Sequence, residues 1–232
     1  MTQALAGKRT LAGALILAAC GWLVLHRAAD AAWAVQAPER AAAFPPASGT
    51  ALGSMVLHRV VAAGGVVDAG ARAMNAEALR RAPLSSLPPT IAGFDAAARG
   101  DLPQAVRLME AARARDPRAA LARTWLLNEY ARTGRYGLTL AEAGPVMRFD
   151  AGTRPQIYAL IMQILGLPGG GAAVRAALAR EPDWRGPFVQ ALPGLRPSPA
   201  ALAALTQGLS PPRDPAAAQA EARALQAAVV AQ

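Results

Sequence analysis

The sequence predicts an all-α protein whose helices come in antiparallel pairs. Three observations carry that prediction. Apolar residues make up 53% of the 232 positions, and most of them are Ala and Leu, which lose little rotamer freedom in a helix. No stretch alternates apolar and polar residues with period two over a strand's length. Glycine and proline recur at intervals that leave room for one short helix between breaks.

The chain opens with Lys8-Arg9 followed by Thr10 to Leu25, a run without a charge. A basic start before an apolar run marks a signal or anchor segment, here assigned to residues 1–27. Sixteen helical residues span about 24 Å, short of a hydrocarbon core of ~30 Å. Snorkelling of Lys8, Arg9 and Arg27 closes the difference. Positive charge ahead of the span puts the N-terminus in the cytoplasm and the bulk of the chain across the membrane, so the expected location is a single-pass inner-membrane protein facing the periplasm. A second reading stands beside it. Leu17-Ala18-Ala19-Cys20 resembles a bacterial lipobox, which would make Cys20 a lipidation site and the protein a lipoprotein. Against that, Gly21 to Leu25 continue the apolar run past the cysteine.

Residues 28–50 read as a stalk and linker: an Ala-rich helix over 28–43, with Trp33 at the membrane interface or on the first domain helix, then a break at Phe44-Pro45-Pro46. A helical repeat domain is expected over 51–192. Its first helix covers 51–63, Gly64-Gly65 turn the chain, and a second helix runs over 67–81 to Ala82-Pro83, where the pre-proline residue leaves the helical region. Ser86 is the expected cap of a helix opened by Pro88 and Pro89, which ends at Gly100. Asp101 caps the next, with Pro103 in its first turn. Helices over 118–132 and 136–149 follow around Thr133-Gly134-Arg135, with a kink expected at Gly144-Pro145. Another pair, 154–165 and 172–180, is joined by Leu167 to Gly171, read as a flexible turn, and Trp184 and Phe188 mark a short segment over 183–192. The remaining residues, 193–232, form an Ala- and Pro-rich tail with helices near 199–209 and 215–230, the last capped by Asp214.

Two spacings suggest a repeat. Pro83 and Pro117 lie 34 residues apart, and so do Gly100 and Gly134. This period resembles the tetratricopeptide repeat, in which small residues let two antiparallel helices pack closely and a proline closes the second. In 86–119, Gly93, Gly100, Ala105, Ala112 and Pro117 fall at the small-residue, turn and closing positions. In 120–153, Leu126, Tyr130 and Gly134 fit, while Thr139 and Ala151 replace the expected alanine and proline; in 52–85, Gly53, Ala71, Ala78 and Pro83 fit. The resemblance covers about 100 residues and is degenerate. It implies helix pairs stacked as an α-α superhelix. The basic start with its apolar span, Arg80 to Leu84, Gly100-Asp101 and Asp183 to Gly186 also resemble membrane-anchored, Ala- and Arg-rich repeat proteins of alphaproteobacteria, which implies an envelope location and no particular activity.

The formal net charge is +9, yet Lys8 is the only lysine and the arginines are scattered, so no continuous basic face for nucleic acid is expected. One cysteine and two distant histidines leave no metal set and no disulfide. Gly169-Gly170-Gly171 lacks the lysine of a phosphate loop, and no serine sits in a nucleophile elbow. No catalytic residue and no cofactor are therefore expected. What remains is a scaffold whose helix pairs form a groove for a protein partner, an acidic peptide or helix, with an assembly or polysaccharide-export apparatus of the envelope as its setting. Arg80, Arg81, Arg99 and Arg107 are its candidate charged contacts, and Trp125 and Tyr130 its candidate aromatic ones, core filling being the other role for this pair. The alternatives are a lipoprotein adaptor and a glycan-processing enzyme of the envelope, which requires two carboxylates facing each other across a cleft.

Overall fold

A computed structural model describes the backbone of residues 2–231, with side chains from residue 18 onward. Among the described residues there are thirteen α-helices and no strand. In chain order they are α1 (Thr2–Trp33), α2 (Pro38–Ala42), α3 (Gly49–Ala62), α4 (Ala69–Arg81), α5 (Leu87–Ala98), α6 (Leu102–Arg115), α7 (Ala120–Arg132), α8 (Tyr136–Phe149), α9 (Arg154–Leu165), α10 (Gly170–Leu178), α11 (Arg185–Leu195), α12 (Pro199–Thr206) and α13 (Pro215–Val230). The all-α expectation holds. The chain divides into two compact units, Met1–Pro117 and Arg118–Gln232, so the boundary falls inside the stretch read from sequence as one repeat domain.

In the first unit, α3 packs on α4 and α5 on α6. The helix starts are fixed by side-chain oxygens that accept otherwise unsatisfied amides: Ser48 Oγ from Ala51 N at 3.0 Å, Asp68 Oδ1 from Ala71 N at 2.7 Å, and Asp101 Oδ1 from Gln104 N at 3.0 Å. Close approach within each pair follows from small side chains. Ala71, Ala78, Ala105 and Ala112 have no exposed surface, and a side chain at Gly93 would meet the Met109 thioether. Val56, Val60, Val67 and Ile91 complete this core. Gly100 and Gly134 end α5 and α7 with φ of +82° and +72°, the left-handed conformation that costs a residue with a Cβ.

The first unit departs from expectation in two places. The Ala-rich stretch 28–43 is not one helix: α1 stops at Trp33 and the short α2 starts at Pro38, whose ring cannot continue a helical ladder. Trp33 stacks on Phe44, with ring centroids 6.2 Å apart. Ser86 is not a side-chain cap. Its backbone is itself helical, its hydroxyl donates to Asp116, and Ser85 Oγ accepts from Leu87 N instead.

No helix among the described residues is long and apolar enough to cross a membrane. The expected span, residues 10–25, falls partly outside the residues whose side chains are described, since these begin at Ala18. Trp22, Leu23, Val24 and Leu25 at the end of that run are exposed, as is Cys20.

In the second unit, α7 packs on α8, α8 on α10, and α11 on α13. A single cluster runs from Leu127 through Ile161, Leu178 and Phe188 to Leu205 and Ala228. The expected tail, 193–232, is therefore part of the second core. It is tied there by Arg185, 4% exposed, whose guanidinium holds Glu221 in a two-point pair at 2.9 and 3.0 Å and donates to the carbonyls of Leu178 and Ser210. The turn at 167–171 is specified rather than slack. Gly169 is left-handed, and a Cβ on Gly170 would lie 1.7 Å from the Ile164 carbonyl oxygen.

Candidate functional site

Two clefts, one in each unit, combine exposure with unsatisfied polar groups. The first is a groove of about 300 Å³ between α4, α5 and α6. Leu79, Ile91, Ala92, Leu108 and Ala111 make its floor and walls, while Arg72, Asp95 and Arg115 stand among them. The apolar lining follows from helical spacing, because residues three and four apart share a face: Leu108 and Ala111 on α6, Asn75 and Leu79 on α4.

Asn75 is the odd member of that face. It is 8% exposed, its amide nitrogen donates to the Pro88 carbonyl at 2.8 Å, and its Oδ1 is buried with no partner. Leaving a buried acceptor unpaired costs about 1–3 kcal/mol, a penalty carried by a residue of the groove lining. Asp95 sets the charge of the rim. Arg72 donates to both of its oxygens at 2.9 Å, and Arg99 also pairs with it. The hydrogen bond from Arg72, then those from Arg99, hold the Asp95 carboxyl below the usual aspartate range against the opposing effect of burial. Two guanidinium groups thus share one carboxylate, and the exposed Arg115 adds a further positive charge.

The arginines singled out from sequence stand elsewhere in this unit. Arg80 and Arg81 share Glu77 at the end of α4, and Arg107 holds Gln104 at 2.6 Å along α6. None of them, nor Arg99, lines the groove, although Arg99 reaches it through Asp95. Trp125 and Tyr130 belong to the second unit, on α7. Trp125 is half-buried. Tyr130 has no exposed surface and the Arg135 guanidinium lies 4.5 Å over its ring, so Tyr130 is a core residue and not a groove contact. Asn75 and Arg72 were missed, whereas Arg115 belongs to the arginines clustered over 80–135 that the sequence offers to an acidic partner. The signal for Asn75 was present: it interrupts the buried spacing Ala71, Ala78 with a polar group at a core position.

The second cleft lies in the second unit, between α8, α9, α10 and the start of α11. Two adjoining hollows of about 420 and 130 Å³ share Gly144, Arg148, Asp183 and Trp184. Trp184 is buried, with its edge toward Phe188, and the ring fits because Gly144 on α8 carries no Cβ where the indole passes. Arg180 borders the larger hollow, and Arg154 and Tyr158 the smaller. Arg148 meets Asp183 at 3.5 Å with both side chains more than half exposed. Arg154 and Arg180 have no carboxylate partner among the described residues. The Tyr158 hydroxyl is buried and unpaired; burial raises its pKa and the Arg154 charge opposes that rise.

A third hollow, about 190 Å³ at α11 and α13, brings Glu181, Asp214 and Glu221 together. Each carboxylate there is committed: Glu181 accepts from Arg213 N, Asp214 caps α13, and Glu221 pairs with Arg185. Of the two histidines, His26 bonds the Pro46 carbonyl through Nε2 and His58 is exposed on α3.

No protein-family model matches the chain, and no match is found to a curated protein or to a solved structure.

Proposed function

We propose that the protein is a membrane-tethered scaffold of tetratricopeptide-like helix pairs that holds an acidic, extended segment of a partner protein in the α4–α6 groove. The observation that carries this reading is the groove itself: an apolar floor, a buried Asn75 acceptor without a donor, and a rim where arginines outnumber carboxylates. An extended peptide supplies apolar side chains for the floor and a carboxylate for Arg115. The 34-residue offset between Gly100 and Gly134, each ending the first helix of a pair, supports the repeat reading. The exposed Trp22 to Leu25 on a helix with a basic start support a single-pass anchor with the bulk of the chain in the periplasm.

The enzymatic alternative draws little from the site. A glycosidase requires two free carboxylates about 5–9.5 Å apart. In the third hollow, where carboxylates gather, they are caps or ion-pair partners, and the groove and the second cleft hold one carboxylate each.

The test uses the full chain in detergent at low salt, against short extended peptides that combine Glu with Leu. Binding is expected, and Ala76→Glu, which places bulk and a like charge on the exposed wall of the groove, is expected to weaken it about tenfold. Equal affinity for Glu-rich and Lys-rich peptides, or no effect of Ala76→Glu, overturns the reading.

A further inference from the structure

We propose that the cleft at α8, α9 and the start of α11 binds a phosphomonoester dianion. The site lies wholly in the second unit and stands whether or not the α4–α6 groove takes a peptide. Its charged lining is mostly cationic: the side chains of Arg148, Arg154 and Arg180 against the one carboxylate of Asp183, with Trp184 and Tyr158 also on its walls. Among the described residues neither Arg154 nor Arg180 has a carboxylate to neutralise it, and the buried Tyr158 hydroxyl has no hydrogen-bond partner, its ring lying 5.4 Å from that of Phe188. Three positive charges face one negative, that of Asp183, which leaves two in excess.

That arithmetic selects the ligand. A carboxylate monoanion leaves one charge uncompensated, whereas a phosphomonoester carries about −1.5 to −2 near neutral pH and offers three acceptor oxygens. Guanidinium groups suit such oxygens because their donors lie in a planar fork. The smaller hollow, about 130 Å³ between Arg148, Arg154 and Tyr158, has room for the phosphate. The larger, about 420 Å³ with Leu140, Pro145 and Trp184 on its walls, has room for a compact organic body such as a sugar ring or a glycerol backbone. Asp183 competes for Arg148, so it restrains affinity rather than adding to it.

Two sources share this chemistry, a soluble sugar phosphate and a lipid headgroup ending in a phosphomonoester. The experiment is calorimetric titration of the full chain in phosphatidylcholine nanodiscs with inorganic phosphate, glucose 1-phosphate and dihexanoyl phosphatidate, with acetate and dihexanoyl phosphatidylcholine alongside. The phosphomonoesters are expected to bind, with a dissociation constant below about 1 mM. Arg148→Gln and Arg154→Gln, which both line the smaller hollow, are each expected to weaken binding about tenfold, and Tyr158→Phe about threefold, with unchanged helical circular dichroism. Asp183→Asn is expected to tighten it about twofold to fivefold, an effect that a purely structural role does not produce. Arg223→Gln, an exposed arginine outside the cleft, is expected to change nothing. A tighter constant for glucose 1-phosphate identifies the soluble source, and a tighter one for phosphatidate the lipid. Absence of heat with all three phosphates, acetate binding as tightly as phosphate, or full affinity in Arg148→Gln and Arg154→Gln overturns the proposal.

Discussion

Asp95 and Glu129 show how single carboxylates are used in this protein. Asp95 anchors Arg72 and Arg99, and Glu129 anchors Arg132, and the hydrogen bonds from those guanidinium groups hold both carboxyls below their ordinary range. A carboxylate whose folded pKa is lowered adds stability that is present above its unfolded pKa and is lost as the pH falls through the folded value. Urea unfolding over a pH series is therefore expected to show stability falling as the pH drops below the usual carboxylate range. Asp95→Asn and Glu129→Gln are each expected to flatten that slope. The buried pair Arg185–Glu221 behaves differently, because removing one partner strands the other. Glu221→Ala is expected to cost about 3–5 kcal/mol in urea unfolding, with much of it recovered when Arg185 is also made apolar. This pair was not legible in the sequence: its members lie 36 positions apart, and nothing local in either neighbourhood announces the other. The Asp101 and Asp214 caps were legible, since each is followed within two residues by a proline tolerated in a first helical turn.

At the scale of the elements, helix existence was set by punctuation, and the pairs were readable for that reason. The ends of α5, α6, α7 and α8 fall within two residues of their expected places because Gly100, Pro117 and Gly134 act locally. Where an end depends on tertiary packing, the reading failed. The Gly169 to Gly171 turn looks slack as a sequence, yet Gly170 is required by the approach of the Ile164 carbonyl, a contact that only the folded chain contains. Gly170→Ala is expected to destabilise by more than the about 1 kcal/mol of an ordinary Gly replacement in a turn, measured as a lowered midpoint of thermal unfolding. Gly100→Ala, where nothing lies within reach of a Cβ, is expected to cost only the conformational strain, about 1–2 kcal/mol. Comparing the two separates a steric requirement from a dihedral one. The groove residues were half legible for a related reason. Periodicity gives the apolar face of α4, but which arginines border the face is decided by α6, where Arg115 stands and Arg107 does not.

At the scale of the molecule, the sequence has 24 basic and 15 acidic side chains, and part of that excess stands at two places: the rim of the α4–α6 groove and the cleft beside Trp184. The proposed membrane tether belongs to this scale as well. The full chain is expected to stay with membranes after carbonate extraction, and a chain starting at Ala28 is expected to be released; equal release of both contradicts the anchor. The scaffold reading is tested most directly by site-specific photocrosslinking in intact cells, with the reactive group at Ala76 inside the groove and, in a second chain, at Ala172, exposed on α10. The account predicts a discrete adduct from Ala76 that a Glu-rich peptide competes away and that is missing from Ala172. The same adducts from both positions, or none from Ala76, would contradict it.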